Sequence, residues 1–175
     1  TWPPEIIIPL LLLGALYAIG TVKHRSSARP WPMLAFVAGW LSLLVALDSP
    51  VHELSEQLFW VHMTQHEILM LVAAPLLVLS RPLVPSLWAL PRTWRYAVAG
   101  IGRLPSFKNS WSAISAPPVA WFLHGLALWL WHAPALFAWT LRSDAVHALQ
   151  HISFLGTALL FWWTLIWRHG GRLGY

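Results

Sequence analysis

VHMTQHEILMLVAAPLLVLS, residues 61–80, contains one charged side chain, Glu67, in twenty positions, together with two histidines four apart, His62 and His66. As an α-helix such a run rises about 30 Å, the thickness of a bilayer's hydrocarbon core. In lipid the backbone must close its own hydrogen bonds, which a helix does and a lone strand does not. A second stretch, AVHALQHISFLGTALLFWWTLIW at 145–167, repeats the pattern with His147 and His151. Working outward, further apolar runs occupy 5–22, 31–48 and 116–141. There is no alternation over ten-residue blocks of the kind a membrane barrel shows. The expected fold is an all-α, polytopic transmembrane helical bundle of about five spans, one membrane domain over 1–175 with a connection at 81–115. No initiator Met and no cleavable signal is visible, and the first apolar run is read as a span.

Composition supports the same class. Hydrophobic residues make up 58% of the 175 positions and charged residues 10%, whereas a soluble domain carries roughly a quarter charged. The net charge of +5 could point to nucleic acid, but the basic residues sit in loops between apolar runs rather than along a polar groove, so no nucleic-acid partner is expected. Their distribution instead sets orientation. Lys23, Arg25, Arg29, Arg81, Arg92, Arg95, Arg103, Lys108, Arg168 and Arg172 fall on one side, and Arg142 alone falls on the other, where Glu53 and Glu56 lie. The positive-inside rule then places the N-terminus outside and 81–115 in the cytoplasm. With no cysteine, disulfides, thiolate ligands and thiol redox chemistry are all excluded.

The histidine pairs carry the chemistry. Side chains at i and i+4 share a helix face about 6 Å apart, so each pair can chelate one ion. Nine histidines scattered at random would give about 0.4 such pairs, and chance does not explain why both pairs open spans on the same membrane side. His132, in Trp131-His132-Ala133-Pro134, and His52 fall towards that side too, and Met63 offers a thioether suited to Cu(I). The competing reading is that these are interfacial histidines bonded to neighbouring helices or water. His124, near the middle of 116–141, reads equally as a buried ligand or a helix cross-link, and His24 and His169 read as surface groups. Glu67 reads as a carboxylate supporting the site or as a helix pairing group, and Gln65 and Gln150 as helix cross-links. Pro75 and Pro134 are expected to kink their spans. The stretch 92–104 has the makings of an amphipathic helix on the cytoplasmic leaflet.

Taken together, Asp48-Ser49-Pro50, His62-Met63-Thr64-Gln65-His66, Ala74-Pro75-Leu76-Leu77, Leu128-Trp129-Leu130-Trp131-His132-Ala133-Pro134, His147-Ala148-Leu149-Gln150-His151 and Leu160-Phe161-Trp162-Trp163 resemble the CtaG family of cytochrome c oxidase assembly factors. The resemblance runs from Trp31 onward. It implies a multi-pass protein of the bacterial inner membrane that is not an enzyme. Such a protein would mature a haem-copper oxidase by supplying copper, with oxidase subunits, membrane lipid and a periplasmic copper donor as partners. Carried over by position, the motif histidines are His62, His66, His132, His147 and His151, with Met63 as an optional metal ligand. Members of that family are usually longer, with more spans; the difference is open to a shortened member, a trimmed chain or a relative retained as a permanent subunit. The alternatives to copper delivery are an accessory or redox subunit holding haem b between axial histidines, a membrane di-iron oxygenase, for which Glu-x-x-His is missing, and a metal-free accessory subunit.

Overall fold

The computed structural model describes residues 4–24, 30–47 and 58–168, and among these it contains helices and short turns with no strand. Two long helices come first, α1 (Pro4–His24) and α2 (Pro30–Leu47). The stretch 61–80 lies within α3, Phe59–Ser80, as the apolar run requires. α3 is not uniform: Ile68–Ala73 forms a π-helical turn ahead of Pro75. Proline has no N–H and its ring crowds the carbonyl four residues back, and a widened turn ahead of Pro75, a position expected to kink the span, relieves both problems.

The connection expected at 81–115 folds into three helices, α4 (Leu83–Ala89), α5 (Arg92–Arg103) and α6 (Pro105–Ile114). α7 (Pro117–Trp131), α8 (Pro134–Thr140) and α9 (Asp144–Trp163) follow, and α9 runs on into a π-type segment, Thr164–Arg168. The continuous span expected at 116–141 is therefore corrected to two helices. Ala133 adopts an extended backbone, φ −62° and ψ 130°, because a residue before proline is pushed out of the helical region. Ala116, before Pro117, is extended for the same reason, and α6 and α7 meet at 65°.

Among the described residues three helices are long and apolar enough to cross a membrane: Pro30–Leu47, Phe59–Ser80 and Asp144–Trp167. The bent α6–α7 pair makes a fourth if counted as one span. The first expected span corresponds to the apolar but shorter Ile7–Lys23.

Contacts along each interface fix the helix directions. Tyr17 stacks on Phe36 with ring centroids 3.6 Å apart, while Trp40 donates its indole N–H to the Leu10 carbonyl at 2.8 Å, so α1 and α2 are antiparallel. Gln65 donates to the carbonyl of Ala46, and a Cβ on Gly39 would meet Leu76 and Leu77 at 3.1 Å, so α2 and α3 are antiparallel as well. α7 opposes α9 through Trp131 to Ser153 at 2.6 Å and His124 to Thr157 at 3.0 Å. α3 and α9 run parallel, joined by Trp162 to the Met70 carbonyl at 2.8 Å and Trp167 to the Val78 carbonyl at 3.2 Å. The core has two connected parts. One is built on Leu43, Leu69, Ala73 and Leu77, and the other on Met70, Ala74, Phe154 and Ala158.

Small residues set the closest approaches. Gly20 lies so near the Pro85 carbonyl that any Cβ there would overlap it, so glycine is what lets α4 pack on α1.

Candidate metal centre

Because α3 and α9 are parallel, both histidine pairs lie at one end of the bundle, in the first turns of their helices. The four rings pack together. Centroid separations are 4.4 Å for His62–His66, 4.4 Å for His147–His151, 5.2 Å for His62–His147 and 5.1 Å for His66–His151; the diagonal His62–His151 is 6.5 Å. One ring nitrogen from each of His62, His66 and His147 falls within 4.8 Å of the other two. A zinc- or copper-sized ion about 2 Å from each nitrogen sets neighbouring imidazole centroids roughly 5 Å apart in a tetrahedral arrangement. The four separations of 4.4–5.2 Å lie close to that figure, and the 6.5 Å between His62 and His151 exceeds it.

His66 is the innermost of the four, 2% exposed, and neither of its ring nitrogens has a hydrogen-bond partner. Imidazole always carries at least one N–H, so both a buried donor and a buried acceptor are left without protein partners. Such an atom costs about 1–3 kcal/mol, and native interiors seldom tolerate two on one ring unless water or a bound ion satisfies them. His62 and His151 are buried and His147 half-buried. The side-chain amide oxygen Oε1 of Gln150, the residue before His151, is also buried without a partner. Gln65 serves as the cross-link to α2.

Aromatic rings wall the cluster. Phe154, fully buried, meets His66 edge-on at 4.8 Å from the interior side, and Phe137 of α8 stands 6.1 Å from His62 and 5.8 Å from Phe59. Apolar walls exclude water and strengthen ligand–ion attraction. Neither phenylalanine was marked by the sequence analysis. Phe154 follows His151 by three positions and so shares its helix face, which is a usable signal; nothing in the sequence brings α8 over His62.

The remaining candidates lie elsewhere. His132 is exposed at the end of α7, its Nδ1 2.7 Å from the Leu128 carbonyl and its ring 6.4 Å from Phe154, beside the cluster rather than in it. The proline break after Trp131 ends the helix there instead of tilting the ring inward. Met63 is half-buried, one position and so about 100° round α3 from His62. His124 bonds Thr157 of the facing helix and stacks over Phe161 at 5.6 Å, the cross-link of the two readings. Glu67 is exposed on the outside of α3. His52 and His169 lie outside the described residues, as does the side chain of His24.

No solved structure is significantly similar. Uncharacterized proteins of Mycobacterium bovis and Mycobacterium tuberculosis are each 28% identical over 168 residues, covering 89% of this chain, and one of Mycobacterium leprae is 28% identical over 169 residues. The chain spans about a quarter of the length of these relatives, 24% of the first two and 25% of the third. Residues 15–173 match the model of the cytochrome c oxidase caa3 assembly factor family, whose members assemble an oxidase and are not catalysts. With that match extending over nearly the whole sequence and over all four clustered histidines, the chain belongs to the CtaG family of cytochrome c oxidase assembly factors.

Proposed function

We propose that this inner-membrane, multi-pass protein carries copper as cargo on His62, His66, His147 and His151 at the outer face of the membrane and passes it to a haem-copper oxidase during assembly. One observation carries the reading: His66 presents two buried, unpartnered ring nitrogens amid three further imidazoles from two helices. Neutral imidazoles bind copper in either oxidation state, and no thiolate is present to make binding irreversible in practice. His147 is half-buried, which gives an exchanging ion an approach from the surface, and His132, beside the cluster, lies on that path. Rings in mutual contact favour a single ion over haem b, which needs a macrocycle between its axial ligands.

Copper binding by purified protein tests the reading. Parent protein should hold about one ion per chain, and His66→Ala or His151→Ala should lose it while the helix content is kept. Full stoichiometry retained in both variants would sink the proposal.

A further inference from the structure

The connection between α3 and α7 is fastened to the bundle at both ends and bare in the middle. α4 is held on α1 by the Gly20–Pro85 approach and by Lys23, whose ammonium donates to the Ala89 carbonyl at 3.2 Å. α6 is held by Trp111, edge-on to Trp163 with ring centroids 5.2 Å apart. Between them no side chain of α5 is buried. At 100° per residue, Trp94, Ala97, Val98 and Ile101 share one face of α5, while Arg92, Arg95, Tyr96 and Arg103 take the other. The apolar face is open: Trp94 is 67% exposed, Val98 41% and Ile101 53%.

Charge and position identify what covers that face. The stretch 81–115 contains Arg81, Arg92, Arg95, Arg103 and Lys108 and no acidic residue. α3 ends at Ser80 and α7 begins at Pro117, so α5 is confined close to the plane where those helices leave the bilayer. A short helix with an indole and branched aliphatics on one side and arginines on the other suits the boundary between acyl chains and phosphates, where the arginine stems lie along apolar surface and the guanidinium groups reach anionic oxygens. Arg95 is held for this role by Trp88, with its guanidinium carbon 4.2 Å from the ring centre.

We propose that α5 is an interfacial helix that docks on anionic phospholipid headgroups of the cytoplasmic leaflet, its Trp94–Val98–Ile101 face in the acyl boundary and Arg92, Arg95 and Arg103 at phosphate level. This inference does not depend on the metal reading.

The absence of cysteine makes the test direct. Val98→Cys, Ile101→Cys and Ala99→Cys would each be introduced singly into the full chain, nitroxide-labelled, and reconstituted in vesicles of phosphatidylcholine alone or mixed with phosphatidylglycerol. Collision with oxygen, which concentrates in lipid, is compared with collision with a neutral water-soluble nickel chelate. In the phosphatidylglycerol vesicles the oxygen-to-nickel ratio should be several-fold higher at 98 and 101 than at 99. That contrast should shrink in phosphatidylcholine, and also when Arg92→Gln, Arg95→Gln and Arg103→Gln are combined. Equal water exposure at all three sites would overturn the proposal. So would lipid burial indifferent to headgroup charge, or shielding from both reagents, which signals a protein partner.

Discussion

At His66, burial and chemistry pull in opposite directions. A ring with two nitrogens sits 2% exposed against Phe154 and three other imidazoles with no hydrogen bond of its own, so the metal-free protein carries a desolvation cost at this position. His66→Leu keeps most of the volume and removes both polar atoms. In metal-free protein this substitution should leave the melting temperature unchanged or raise it, by the equivalent of about 1–3 kcal/mol, while eliminating copper binding. Thermal unfolding in detergent after chelation checks this; a clear drop would mean that the imidazole has a structural bond and is not waiting for an ion. The pairs themselves were legible in the sequence because four-residue spacing in a helix sets both rings on one face. Their convergence was not, since span order does not encode which helices touch. His132 shows the limit from the other side: its local motif was plain, yet the backbone break imposed by Pro134 leaves it bonded to its own helix.

Helix α3 achieves its register with α9 through a local irregularity. In the π turn the Ala74 N–H goes to the Leu69 carbonyl, and Pro75 has no N–H to give, so the Met70 carbonyl lacks its usual intrahelical donors. The indole of Trp162 supplies one at 2.8 Å. Proline, π turn and tryptophan therefore form a single unit that holds the two histidine helices at one relative height. Trp162→Phe strands the Met70 carbonyl and should cost about 0.5–2 kcal/mol. In a Pro75→Ala background, residue 75 regains an N–H that can reach back along the helix, and the same tryptophan change should cost measurably less. A double-mutant cycle on thermal or denaturant unfolding gives the coupling; additive effects would show that Trp162 serves Met70 independently of the proline. The proline was readable as a disturbance in the span, but the form the disturbance takes depends on a partner 92 residues away along the chain, which local sequence does not reveal.

Across the whole molecule, charge and packing support one arrangement. α1, α2 and α3 alternate in direction, α7 opposes α9, and α9 is parallel to α3, so the histidine cluster and the 81–115 connection lie at opposite ends of the bundle. The helical class was legible because lipid solvation acts on composition alone. The break of 116–141 and the folding of 81–115 into three helices depend on proline geometry and tertiary support, which composition does not carry. Among the described residues Lys23, Arg81, Arg92, Arg95, Arg103 and Lys108 lie at the connection end against Arg142 at the cluster end, so the cluster should face the periplasm and α5 the cytoplasm. Single cysteines resolve this in cells whose outer barrier has been permeabilised. Ser143→Cys, in the turn before α9, should react with a membrane-impermeant maleimide added from outside, whereas Ser106→Cys, exposed on α6, should react only after the inner membrane is opened. The reverse pattern would place the histidines in the cytoplasm, where they could not meet periplasmic copper, and would remove the delivery route even if purified protein binds the ion.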